Sequence, residues 1–354
     1  MKVLLLSKYS RMGASSRLRS LQYLPALRQE GLHVRVCSLF DDHYLTILYQ
    51  SGKKPHLHLM YLYLRRLLFL FTCGRYDIIW IEKEVFPYMP AFAERILQLL
   101  GKPYVVDYDD AVFHNYDLSG NSAIRALLGK KIDVVMRGAA CVVAGNSYLA
   151  DRAGHAGASR VEIIPTVVDH VRYRGPSERK GQQLVIGWIG SPSTQMYVVG
   201  IREVLKKVCD LTGARVMLVG ATLGVKEHLA GIPVDIIPWS EDSEANLIRQ
   251  MDVGIMPLKD GPWEQGKCGY KLIQYMASGV PVVASPVGVN VEIVSTSNCG
   301  QLAGSEQEWS QALIKLLTST IIRQDCGESG RRAVAQWYSL QVQAPVLAKI
   351  LRCD

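Results

Sequence analysis

Three carboxylates, Asp107, Asp109 and Asp110, lie in the stretch YVVDYDDAVF, at the end of an apolar run, and His114 follows four residues beyond Asp110. Carboxylates this close raise one another's proton affinity, and they attract a cation or take up acid/base work. Asp109, Asp110 and His114 are therefore candidate catalytic residues, able to orient or deprotonate a hydroxyl. The plain alternative is that Asp109 or Asp110 caps the following helix. A second set of groups lies far downstream: Lys267 and Lys271 flank the start of a helix-patterned stretch, where two ammonium groups and free backbone N–H groups suit a phosphate.

The element that holds those lysines is DGPWEQGKCGYKLIQYMASGVPVVASPVGVNVE, Asp260 to Glu292. Gly261 and Pro262 give a turn, and Leu272, Ile273, Met276 and Ala277 follow helical spacing to a stop at Ser278-Gly279. Val280, Val282, Val283 and Ala284 then read as a short parallel strand buried on both faces, followed by a loop with Pro286 and Gly288. Similar strand-and-helix alternation runs through the whole chain. Strands are expected at the N-terminal MKVLLLSKYS, at 33–37, 76–81, 104–107, 139–144, 161–165, 184–190, 216–220, 234–238 and 253–255. The polar segment Gly175–Gln183 reads as a linker between an N-terminal domain, 1–174, and a C-terminal domain, 184–335, with a final helix, 336–354, crossing back to the first. The class is α/β, with two doubly wound domains.

The segments KLIQYMASGVPVVAS, VGIMPL and VGVNVEIV resemble the retaining GT-B glycosyltransferases, family four in the usual classification. The resemblance implies two Rossmann-like domains facing across a cleft. It also implies transfer of a sugar, with retention, from a nucleotide diphosphate sugar. It covers nearly the whole chain and is strongest over Leu184–Val294. In the family, two glutamates flank seven residues of the signature; here Gly266 and Gln274 stand in their places. Gln274 can still hydrogen-bond a ribose hydroxyl. Gly266 has no side chain for the donor sugar, so Glu264, Gln265 or Lys267 would have to serve. The family's arginine and lysine after the first strand of the C-terminal domain are replaced by SPSTQMYV. There Ser191, Ser193 and Thr194 become candidate phosphate donors, and Lys267 and Lys271 the expected counter-charges. Gly288 and Glu292 of the trailing segment complete the expected donor site. Near the N-terminus the family's glycine-rich loop corresponds to YSRMGASSRLR, making Gly13, Ser15, Ser16 and Arg17 candidates, against the alternative of a simple serine N-cap.

No dinucleotide cofactor is expected, because that loop lacks GxGxxG. The Asp107–Asp109 pair is also similar to the metal-binding DxD of the single-domain glycosyltransferase fold. That fold has no nucleotide signature in a second half, so no metal site is expected. The net charge of +8 points to an anionic partner, nucleotide phosphates or lipid headgroups, and the absence of a dense Lys/Arg run argues against nucleic acid. Eight scattered cysteines without CxxC pairs fit a reduced cytoplasmic protein, and the apolar part of MKVLLLSKYS is short for a signal peptide.

The most apolar helical stretch, Pro55–Cys73, is interrupted by Arg65 and Arg66 and falls short of the ~20 residues that span a bilayer. It reads either as a core helix or as an interfacial one. In the second case Tyr61, Tyr63 and Phe69 enter the acyl boundary, and Lys53, Lys54, Arg65 and Arg66 meet headgroups. The function expected is sugar transfer to a glycan or lipid-linked glycan, in cell-surface polysaccharide synthesis, by a cytoplasmic protein able to sit on the inner face of the membrane. The alternatives are a nucleotide-sugar epimerase of the same fold and a non-catalytic, membrane-associated partner of another glycosyltransferase.

Overall fold

The structure, a computed structural model, describes residues 1–52, 54–175 and 182–353; Lys53 and most of the expected linker lie outside them. The chain forms two compact units. The first comprises Met1–Val167, Gly266–Cys268 and Leu340–Asp354, and the second Val168–Gln265 with Gly269–Ser339.

The first unit holds six parallel strands: β1 (Lys2–Tyr9), β2 (His33–Phe40), β3 (Ile78–Glu82), β4 (Tyr104–Tyr108), β5 (Cys141–Ala144) and β6 (Val161–Ile163). Their order is β2-β1-β3-β4-β5-β6. Successive side chains of a strand point to opposite faces, so the unbroken apolar runs fill two cores. Leu4, Leu6, Ile79, Ile81 and Val106 pack on one side; Val3, Leu5, Ile78, Trp80 and Val105 pack on the other. The second core is closed by Ala344, Leu347 and Leu351 of the C-terminal helix Leu340–Arg352. The final helix, expected over 336–354, is Leu340–Arg352, and a separate helix, Thr320–Trp337, precedes it. The preceding helix stops at Tyr338, whose carbonyl accepts from the Val168 N–H.

The second unit repeats the plan with β7 (Val185–Ile189), β8 (Arg215–Val219), β9 (Val234–Ile237), β10 (Val253–Met256), β11 (Val282–Ala284) and β12 (Gly300–Leu302), ordered β12-β11-β10-β7-β8-β9, all parallel. β12 is absent from the sequence reading, because a half-exposed three-residue edge strand carries no periodic signal. The signature helix is Tyr270–Ser278, ending at Gly279 in the left-handed conformation, with φ 71°. In each sheet the strand order reverses once, between β1 and β3 and between β7 and β10. Ligands of open parallel sheets bind outside the carboxyl ends of the strands at such points.

The helix His56–Leu70 is neither fully core nor laid out as expected. Leu62 and Arg66 are buried, and Arg66 Nη2 donates to the carbonyls of Ser7 at 2.6 Å and Cys37 at 2.9 Å. Arg65 Nη2 likewise donates to the Ser38 carbonyl. Neither arginine is turned to headgroups, since each donates to strand carbonyls. Tyr63 and Phe69 pack against the core, whereas Tyr61 is exposed.

Candidate active site

The carboxyl ends of β1, β3 and β4 deliver Lys8, Glu82, Lys83, Asp109 and Asp110 to the switch point of the first sheet. Asp107, still inside β4, is not available for chemistry. Arg19 clamps both its oxygens, Nε at 2.9 Å and Nη2 at 3.0 Å, and both residues are buried. Burial pushes the Asp107 carboxyl up to about 6, with the Arg19 charge pulling the other way.

Asp109 is held from two sides. Lys83 Nζ lies 2.8 Å from Oδ1, and the Ser15 hydroxyl donates to Oδ2 at 2.7 Å. Lys83 is 4% exposed and sits at φ 66°, a left-handed conformation unfavourable for a residue with a Cβ. Asp110 lies 3.8 Å from the same ammonium, and its side chain is 31% exposed. Burial pushes both carboxyls up. At Asp109 the Lys83 and Arg19 charges overcome it and hold the group below the usual carboxylate range. At Asp110 burial and the Asp109 charge prevail over Lys83 and leave the group above that range. One carboxylate is thus fixed as an anion, while its neighbour is poised to take up a proton. Neither serves as a helix cap: the next helix, His114–Asp117, has Phe113 at its N-cap and no side-chain cap.

His114 does not join this cluster. Its Nδ1 is 2.8 Å from Asp117 and its Nε2 2.8 Å from the Tyr148 hydroxyl, so both ring nitrogens are engaged and neither is left for an acceptor. Ser16 and Arg17 are structural as well. Ser16 Oγ donates to Glu82 at 2.5 Å, and Arg17 is buried with Nη1 donating to the Arg11 carbonyl. Gly13 is required by packing, since a Cβ there would stand 2.3 Å from that of Tyr9. Lys83 escaped the sequence reading. Its signal is the EKE triplet, in which three charges follow a strand buried on both faces.

The start of the signature belongs to the first unit. Asn146 Nδ2 donates to the Lys267 carbonyl at 3.0 Å, and Lys267 contributes to the field at Asp110. Gly266 lies against Ala111: a Cβ there would be 2.5 Å from the Ala111 Cβ and 2.7 Å from its nitrogen.

At the switch point of the second sheet, Ser191, Ser193 and Thr194 form a one-turn 3₁₀ segment directly after β7. The Lys271 side chain runs beside the end of that strand. Its Cε is 3.0 Å from where a Gly190 Cβ would be, and its ammonium lies 5.8 Å from the Trp188 ring centre. Gly288, at φ 54° and ψ −136°, starts the helix Val289–Ser297, in whose first turn Glu292 is exposed. The same loop leaves no room for a Cβ, 2.9 Å from the Gln265 carbonyl oxygen. Gln274 departs from expectation. It is 3% exposed and donates to the Tyr173 hydroxyl at 3.1 Å, which itself donates to Glu244, so the amide faces the interior and not a ribose. Trp239 donates from Nε1 to Glu244 at 2.8 Å.

Residues 183–319 match the model of the family described as glycosyl transferases group 1. The match falls within the C-terminal half of the chain. The fold of the chain is GT-B, by likeness to solved structures along the full length. HepE from Anabaena, solved with UDP, with UDP and glucose, and with UDP-glucose, superposes with a TM-score of 0.74 at 17% identity, covering 100% of both chains. Sucrose-phosphate synthase from Thermosynechococcus elongatus gives 0.71 at 14% identity, covering 99% of this chain and 98% of its own. WaaG, a glycosyltransferase involved in lipopolysaccharide biosynthesis, gives 0.69 at 16%, covering 99% of each. Comparison with curated proteins returns no match.

The packing at Gly266 accounts for one departure from the family pattern. Reinstating the family's glutamate by Gly266→Glu is expected to lower stability by about 1–3 kcal/mol, the cost of forcing atoms into a filled space. Urea unfolding of the purified variant measures it. A variant as stable as the parent would show that the Ala111 segment yields freely.

Proposed function

We propose that the protein is a glycosyltransferase that moves a sugar from a nucleotide diphosphate sugar to a hydroxyl of a glycan or lipid-linked glycan, with retention, in cell-surface polysaccharide synthesis at the inner face of the membrane. The observation that carries the reading is the pairing of one carboxylate fixed by a buried lysine with a second, part-exposed carboxylate at a sheet switch point. In the reaction the bond from the anomeric carbon to the diphosphate breaks and a bond to the acceptor oxygen forms on the same face. Asp110 takes the acceptor proton, and Asp109, held by Lys83 and Ser15, keeps it oriented. Lys267, Lys271, the hydroxyls of Ser191, Ser193 and Thr194, and the N–H groups after Gly288 meet the diphosphate charge. With Asp107 spent on Arg19 and Asp109 on Lys83, charge is stabilised by ammonium groups and no metal is invoked.

The HepE complexes make UDP the first ligand and a UDP-hexose the first donor to test. Each charge-assisted contact is worth roughly 1.5–3 kcal/mol. UDP affinity is therefore expected to fall at least about tenfold in Lys267→Ala and in Lys271→Ala, measured by calorimetry. Unchanged affinity in both variants would end the assignment. Sugar transfer from UDP-hexose to a membrane lipid extract tests the reaction itself.

A further inference from the structure

The side of the helix His56–Leu70 opposite its buried residues is bare. Leu57, Met60, Tyr61, Leu64, Leu68 and Phe71 recur at three- and four-residue spacing along it, and Leu57 and Phe71 are 81% and 83% exposed. That is one helical stripe of large apolar side chains, of a size that marks an interaction surface. On its buried side the helix shares a core with the helix Phe92–Leu99. Tyr63 is 5.6 Å from Phe86, and Phe86 is 5.5 Å from Phe92, the first residue of the helix Phe92–Leu99.

Beside that helix lies a groove of about 460 Å³. Pro90, Ala91 and Phe92 line it together with the cations Arg95, Arg125 and Lys130. Acids are few on the helices around this surface: Asp133 of the helix Lys131–Gly138 accepts from Arg152, and Asp41, next to the exposed Asp42, is paired with His58. His56–Leu70 and Ser122–Leu128 contain none, and the only one in Phe92–Leu99, Glu94, is buried and accepts from the Val85 N–H.

We propose that this face of the first unit is a docking surface for an anionic lipid bilayer. The apolar stripe lies in the acyl boundary, and Arg95, Arg125 and Lys130 hold lipid phosphates. No helix among the described residues is long and apolar enough to cross a membrane, so the helix lies in the interface plane. The three cations favour an anionic partner, and a bilayer offers phosphates and an acyl phase together. The inference deepens the reading of a lipid-linked acceptor by naming where the bilayer sits.

The test is sedimentation of the full chain with vesicles that contain neither donor nor acceptor. One set is phosphatidylcholine alone; the other has phosphatidylglycerol as about a third of the lipid. The parent is expected to bind the anionic set at least about tenfold better, with the preference shrinking at high salt. Arg125→Glu/Lys130→Glu should abolish the preference. Leu64→Glu/Leu68→Glu should lower binding to the anionic set by at least about tenfold, with UDP affinity unchanged in both variants. Equal binding by parent and variants overturns the proposal. So does a parent dimer in light scattering that the leucine variant converts to monomer, because the face is then a contact between copies. Sugar transfer is scored separately, so a missing vesicle interaction leaves the catalytic reading standing, and the reverse also holds.

Discussion

Asp110→Asn is expected to lower turnover by about two to four orders of magnitude while leaving UDP affinity and the melting temperature near those of the parent. The variant keeps the shape of the residue and removes its capacity to take a proton. Asp110 is the candidate because its side chain is part-exposed, and because burial and the Asp109 charge hold it above the usual carboxylate range. The sign of the pH dependence follows. A base must be deprotonated to act, so kcat/KM should rise with pH through the raised Asp110 value, and this limb should vanish in Asp110→Asn. Full turnover in the variant would place the base elsewhere. Asp109→Asn separates orientation from proton transfer: it should slow turnover while the acid limb persists, since Asp110 is still present.

Lys83→Met should lower unfolding free energy by about 3–5 kcal/mol, because it strands the Asp109 carboxylate in a site that burial has stripped of water. The buried ammonium is the ion-pair partner of that carboxylate at 2.8 Å. In the parent the folded Asp109 value lies below its unfolded value of 3.8, so its contribution is present above that pH and is lost as pH falls through the folded value. Without the ammonium the folded value moves up, and the penalty is greatest near neutrality and shrinks as pH drops toward 4. Lys83→Met/Asp109→Asn should recover most of the loss, since no uncompensated charge remains. Urea unfolding of the parent, Lys83→Met, Asp109→Asn and the double variant reads the coupling directly. A double variant no more stable than Lys83→Met would mean that packing, and not charge, is what Lys83 contributes.

The two doubly wound units and the signature helix were legible from the sequence because their signals are local. Apolar runs such as KVLLLS and YDIIWI mark strands buried on both faces, and glycine and proline punctuate them within a few residues. The switch points follow from strand order, which short right-handed connections nearly dictate. What a sequence does not carry is which charges spend themselves on one another. Asp107 looked as available as Asp109 until Arg19, 88 positions away, closed on it. Arg66 looked like a headgroup cation until the carbonyls of Ser7 and Cys37, 59 and 29 positions away, took it into the core. Gln274, placed by pattern for a ribose, turned instead to Tyr173, 101 positions away. Partner choice among charged and polar groups depends on distances of a few ångströms between segments remote in the chain. Periodicity fixes the face of an element, and only tertiary packing decides which groups meet there.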